Sequence, residues 1–184
     1  MPEPPPSAVL LWLDLEMTGL DVEREVIVEI AVLATDTDLR ALDDGIDIVV
    51  HQPEAALTTM GDHVREMHTK SGLLEAIRTS TVSLEDASAQ VMDYVKRHSP
   101  EPRTVPLCGN SIGVDRRFLA RYLPELDEYL HYRSIDVSSL KELVRRWNPE
   151  AYAHRPPKGG GHRALADVQE SIAELAYYRE AVFR

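Results

Sequence analysis

The sequence predicts an α/β fold built on one mixed, five-stranded sheet flanked by helices. Two observations carry this. Three apolar, strand-like runs stand within the first 51 residues, separated by short turn-rich segments, which is the spacing of an antiparallel meander. After them helical and strand-like segments alternate to the end of the chain, the pattern that adds parallel strands to a sheet.

The first strand runs from Val9 to Glu16 and is apolar on both faces until Asp14, so it takes a central place. Thr18-Gly19 signals a turn, and VIVEIAVLAT supplies the second strand, Val26 to Thr35. The turn-rich LDDG precedes the third, IDIVVH, from Ile46 to His51. Ser83 with Asp86 three residues on resembles a capping box and starts the helix SLEDASAQVMDYVKRH, whose apolar positions include Val91, Met92 and Val95. Pro100 and Pro102 end it. VPLCGN, Val105 to Asn110, reads as a short buried strand, GVDRRFLARYL, Gly113 to Leu123, as a helix, and SIDV, Ser134 to Val137, as another strand. Ser138 is the expected cap of a helix through SLKELVRRW, stopped by Asn148-Pro149. RPPKGGG, Arg155 to Gly161, is a loop, and a long helix closes the chain from Arg163 to Arg179.

A length of 184 residues suits one domain, expected over residues 9–184 behind a loose, proline-rich tail at residues 1–8. The apolar share of 43% and charged share of 28% are those of a soluble globule, and no apolar run reaches the roughly 18 residues of a membrane span. MPEPPPS lacks the features of a signal peptide, so the expected location is the cytoplasm. A single cysteine, Cys108, excludes an internal disulfide and a multi-cysteine zinc site, and reads as a small buried apolar residue. The net charge of −11 argues against a protein that coats long nucleic acid, because affinity for a polyanion grows with the phosphates neutralised. A short nucleotide held by a few local contacts is still compatible with it.

Chemistry enters with LWLDLEMTGLD, Leu11 to Asp21. Asp14 and Glu16 alternate onto one face of their strand, about 7 Å apart along it. A buried pair of like charges either reaches solvent at the strand end or recruits a cation, and oxygen donors favour a hard ion, Mg²⁺ or Mn²⁺. Asp115 follows the strand-to-helix turn GNSIGVD, at the end of the sheet where ligands gather. Its plainer role is to complement a helix dipole. Asp167 lies on the last helix in the apolar stretch Ala164 to Val168. His162 stands five residues earlier, about 140° around a regular helix from Asp167, so the two share a site only if His162 precedes the helix or opens it. Gly159, Gly160 and Gly161 permit that, and a histidine there suits a general base as well as a surface position. Four acids and one histidine fit two metal ions about 3.5–4 Å apart clamping a phosphodiester, with His162 taking the proton of the attacking water.

The blocks DLEMTGLD, HTKSGL, LCGNSIGVDRRFL, HYRSIDVSSLKELVRRW, HRALAD and ESIAELAYYRE together resemble the oligoribonucleases. These are small homodimeric 3′-to-5′ exoribonucleases of the DEDDh branch of the DnaQ-like superfamily, with an RNase H-like fold. The resemblance runs from about Val9 to Arg184, with the blocks in the family's order. It implies that Asp14, Glu16, Asp115 and Asp167 ligate two Mg²⁺ or Mn²⁺ ions and that His162 is the catalytic base. It implies further that Leu20 wedges between the bases of a dinucleotide, and that His68, Ser111, Arg133 and Ser138 gather around its terminal phosphate. Tyr132 matches a tyrosine delivered across the dimer interface into the neighbouring site. The expected substrates are therefore dinucleotides and very short RNA. This chain departs from the family pattern at His63, where many members carry tryptophan, at Val114, where glutamine is familiar, and in the loop AYAHRPPKGGGH.

Three other readings compete. A related DEDDh nuclease that trims longer RNA or proofreads DNA would carry a basic patch beside its site, whereas the basic pair Arg145-Arg146 reads as a solvated helix face or as partners in intramolecular ion pairs. A non-catalytic module would be free to lose an acid or the histidine, and all five positions are filled. A mononuclear zinc hydrolase lacks its two-histidine spacing.

Overall fold

The computed structural model describes residues 7–157 and 159–183, so residues 1–6 of the expected tail lie outside the described residues. Its sheet has the order β3-β2-β1-β4-β5, with β1 (Val9–Met17), β2 (Ile27–Asp36), β3 (Ile46–Val49), β4 (Leu107–Gly109) and β5 (Ser134–Asp136). The first three strands pair antiparallel, and β4 and β5 join β1 in parallel. β1 is central, as its two-sided apolarity requires. This is the RNase H-like arrangement that the sequence leads one to expect.

Alternation along β1 divides the core. Leu11, Leu13, Leu15 and Met17 face one layer with α4 (Leu84–His98) and α5 (Gly113–Tyr122), which contribute Val91, Tyr94, Val95, Phe118 and Leu119. Trp12 faces the other layer with Ala31, Leu33, Cys108 and Val144, closed by Ala164, Val168 and Tyr178 of α9 (Ala164–Ala181). Buried polar atoms in both layers are met: the Trp12 indole N–H donates to Thr35 Oγ1 at 3.0 Å, and the Tyr94 hydroxyl donates to Asp43 and accepts from the Ala34 N–H.

Three short helices occupy a stretch for which the sequence pattern offers no assignment: α1 (Glu54–Leu57), α2 (Asp62–Lys70) and α3 (Leu73–Thr79). They bury Leu57, Met60, Leu73, Leu74 and Ile77 against Val28 of β2 in a small core of their own. The helix after β3 is capped as expected, Ser83 Oγ accepting from the Asp86 N–H at 3.0 Å while donating to the Asp86 carboxylate. α6 (Pro124–Tyr129) follows α5, and β5 leads into α7 (Val137–Trp147) and α8 (Pro149–Ala153). One expectation is corrected here. Ser138 does not cap α7; the helix begins at Val137, and Asp136 caps it by accepting from the Ser138 N–H at 2.9 Å. Aspartate wins because the strand ends one residue sooner, leaving its carboxylate at the extended position a cap requires.

The backbones of β1 and β4 approach closely at Gly109, where an added Cβ would stand 2.8 Å from the Leu13 carbonyl oxygen and 2.8 Å from Ile112 Cδ1. Gly109→Ala should therefore cost about 1–3 kcal/mol in urea unfolding. Gly113→Ala, with open space at the same point of the chain's course into α5, should be neutral or slightly stabilising.

Candidate active site

The even positions of β1 place Trp12, Asp14 and Glu16 on the face that α9 covers, and in the antiparallel register Asp14 pairs with Ala31 and Glu16 with Glu29. One turn into α9, Asp167 lies on the same stripe as Ala164 and Val168 and meets them. Carboxylate oxygens of Asp14, Glu16 and Asp167 all come within 4.8 Å of one another.

Asp115 arrives differently. β4 ends at Gly109, so the Leu15 N–H, on the side where Leu11 reaches Pro106, has no strand left to pair with. Asp115 Oδ1 accepts it at 3.0 Å from the first turn of α5. A backbone donor thus fixes the fourth acid beside the cluster. Its carboxyl is pushed up to about 7 by burial, against which the Leu15 N–H pulls it down. Glu16 is pushed up further, to about 8, first by burial and then by the charges of Asp167, Glu29 and Asp115, with Arg163 opposing. The site is short of positive charge.

Glu29 was not among the expected residues. It is fully buried, and both of its oxygens are used: Oε1 accepts from Arg163 Nε at 2.7 Å and Oε2 from the Ala164 N–H at 2.9 Å. The Arg163 guanidinium also lies 3.8 Å from Asp47, whose carboxyl burial and Glu29 push up to about 6. The one signal in the sequence was a lone charge inside VIVEIAVLAT.

His162 precedes α9, the placement that sharing a site with Asp167 would require, in the left-handed region at φ 46°. That conformation costs about 1–2 kcal/mol for a residue with a Cβ. With Gly160, Gly161, His63, Glu66, Met67, Lys70 and Ser71 it lines a hollow of about 310 Å³ against α2. His68, also on α2, is fully buried, its Nε2 2.9 Å from the Met17 carbonyl and its Nδ1 3.9 Å from Glu16; burial holds its pKa below the usual value. Its buried Nδ1 has no hydrogen-bond partner among the described residues.

Ser111 and Ser138 meet through Asp136. The Asp136 carboxylate accepts from the Ser111 N–H at 2.9 Å and from the Ser138 hydroxyl at 2.6 Å, holding Ser111 at φ 54°. Asp136 is a second residue that sequence reasoning missed. Arg133 lies with its guanidinium 5.2 Å from the Tyr132 ring centre, and Tyr132 and Leu20 are 73% and 69% exposed, large apolar surfaces left open to a ligand or partner. The loop carrying Leu20 is braced by Glu25, which receives the Thr18 hydroxyl and whose carbonyl accepts from Tyr122 at 2.7 Å. Arg145 and Arg146 both pair with Glu142, as expected of a solvated face. Cys108 is buried. No helix among the described residues is long and apolar enough to cross a membrane.

A family model described as Exonuclease matches residues 11–175, a span that contains all four acids and His162. Oligoribonuclease of Mycobacterium ulcerans is 56% identical over 174 residues, covering 95% of this chain and 81% of that protein. Oligoribonuclease of Streptomyces avermitilis is also 56% identical, over 95% of this chain and 86% of its own. Among solved structures, E. coli exonuclease I in complex with a dA16 oligonucleotide superposes with a TM-score of 0.76 at 14% identity, over 97% of this chain and 42% of that one. Exonuclease I from Methylocaldum szegediense gives 0.70 at 20% identity, again over 97% and 42%. The structural likeness establishes the fold; the sequence identity carries the rest, and the chain belongs to the oligoribonucleases, 3′-to-5′ exoribonucleases within the exonuclease family.

Proposed function

We propose that the chain, as a single exonuclease domain, hydrolyses dinucleotides and very short oligoribonucleotides to nucleoside 5′-monophosphates, and that it works as a homodimer in the cytoplasm. The observation that carries this is the convergence of Asp14, Glu16 and Asp167 within 4.8 Å, with Asp115 locked beside them. Oxygen-only donors and a Glu16 carboxyl pushed up to about 8 fit a pair of hard divalent cations, Mg²⁺ or Mn²⁺. When bound, such ions lower the pKa of an attacking water and stabilise the leaving oxygen.

The protein's own groups supply the remaining steps. His162 accepts the proton of the attacking water at a ring nitrogen, its preceding glycines letting the ring swing toward the acids. Leu20 separates the two bases, and His68, Ser111, Arg133 and Ser138 surround the terminal phosphate, so that a chain ends where the pocket ends. Arg133 offers a planar donor fork for that phosphate. Tyr132 reaches the site of the second subunit. Supporting a subunit contact, Leu143 and Trp147 stand one turn apart on α7, 39% and 76% exposed. A net charge of −11 further penalises longer strands that would lie across the surface.

Three outcomes test this. In a time course with Mn²⁺ on 5′-labelled RNAs of two, five and about twenty nucleotides, the dinucleotide should be cleaved far fastest, and chelator should abolish all cleavage; faster trimming of the long strand would favour a general exonuclease. His162→Ala should lower kcat by about 10²–10⁴ with KM for the dinucleotide little changed. The third concerns metal-free stability. Since Glu16 titrates at about 8 in the folded chain against an ordinary 4.5, the folded state holds the extra proton between those values and stability drains away as pH rises through them. In chelator the melting temperature should thus fall from pH 5 to pH 8, by the equivalent of a few kcal/mol. Glu16→Gln should reduce the fall, leaving the part that Asp115, at about 7, and Asp47, at about 6, contribute in the same direction, and Mn²⁺ at pH 8 should raise the wild type more than the variant.

A further inference from the structure

A buried carboxylate in a central apolar strand is costly unless it is met in full, and an apolar side chain would fill Glu29's place more cheaply. Its geometry shows what the ionic pair achieves that packing could not. Glu29 holds the Arg163 side chain with one oxygen and the Ala164 backbone N–H with the other, across 134 and 135 residues of sequence, at the point where loop becomes helix. Arg163 then opens the helical ladder toward the site, its carbonyl accepting the Asp167 N–H at 3.0 Å. On the far side, the Gly159 N–H donates to Glu170 Oε1 at 2.8 Å, tying the glycine run back to α9. Between these two anchors lie only residues 160–162, with Gly160 at φ 64° and His162 at φ 46°. No added Cβ at Gly160 or Gly161 would touch a neighbour.

We propose that Arg163, clamped by Glu29, is a positioning residue for the reaction: it is the pivot that sets the arc of His162 and, one turn later, the depth of Asp167. This rests on His162 being the general base. The guanidinium is suited to the task because its planar fork fixes direction as well as charge, whereas a lysine would supply a point charge on a flexible stem. Glu29 supplies the fixed end because β2 is hydrogen-bonded on both sides within the sheet.

The test uses Arg163→Lys and Glu29→Gln in the full chain, with folding checked by circular dichroism and melting. The Gln variant keeps an acceptor for the Ala164 N–H while uncoupling Arg163, and it carries the test if the Lys variant does not fold. Kinetics on a dinucleotide with Mn²⁺ are paired with histidine-selective NMR of the metal-free protein, His162→Ala identifying which of the seven histidine signals belongs to His162. A pivot predicts kcat lowered by about thirty- to a hundredfold, the scale of a misplacement near 1 Å, with KM within about twofold. It also predicts a His162 ring signal that shifts and narrows toward that of a freely turning side chain. A folded variant with wild-type kcat and an unmoved His162 signal would overturn the proposal. So would a raised KM at constant kcat, which would make the pair part of substrate binding. If the wild-type chain cleaves no short RNA, the functional reading fails by itself, while the NMR comparison still decides whether Arg163 aims His162.

Discussion

Negative charge held out of water is the constraint from which the rest of this structure follows. Three carboxylates meet under the first turns of α9, Asp115 stands beside them, and Glu29 lies in the next strand directly opposite Glu16. Coulomb repulsion at such separations, in a medium far less polarisable than water, is too large to leave unanswered. For three of the five acids the answer is visible. Glu29 takes Arg163 and a helix N-terminus, Asp115 takes a strand N–H that β4 abandons, and the Glu16 carboxyl is pushed up to about 8. A similar logic operates behind the site, where buried Glu174 meets Lys141 and the Tyr178 hydroxyl, and Asn110 joins Ser171 at 2.7 Å. The positions of β1, β2, α5 and α9 are thereby tied to one another by charge as well as by packing.

Much of this was legible in the residues. The central place of β1 followed from two-sided apolarity, the one-face placement of Asp14 and Glu16 from strand alternation, and the need for His162 to precede α9 from helical geometry alone. What escaped has physical reasons. Helices α1 to α3 are four, nine and seven residues long, too short to impose a clear apolar period, and tertiary burial of Leu57, Leu73 and Ile77 holds them together. Asp136 and Ser138 are both good caps, and only the register of β5 decides between them. Glu29 could be seen as odd but not explained, since its partners lie more than 130 residues away. His68 was expected from the resemblance among phosphate contacts; its buried ring lies against Met17 and Glu16, a placement no local pattern encodes.

The likeness to exonuclease I, at 14% identity, shows how little of the sequence the fold itself demands. Here Asp136 places a carboxylate between two serines and occupies the hydroxyl hydrogen of one of them. That hydrogen serves no other acceptor unless the hydroxyl turns.

The two tryptophans lie at opposite extremes of exposure. Trp12, two residues before Asp14 on the catalytic strand, is wholly buried with its indole N–H bound, while Trp147 at the end of α7 is 76% exposed. Their emission is therefore separable by colour. The blue component reports the integrity of the strand that bears the acids, and the red component reports whatever covers the outer face of α7, so one unlabelled spectrum distinguishes loss of the core from association at the surface.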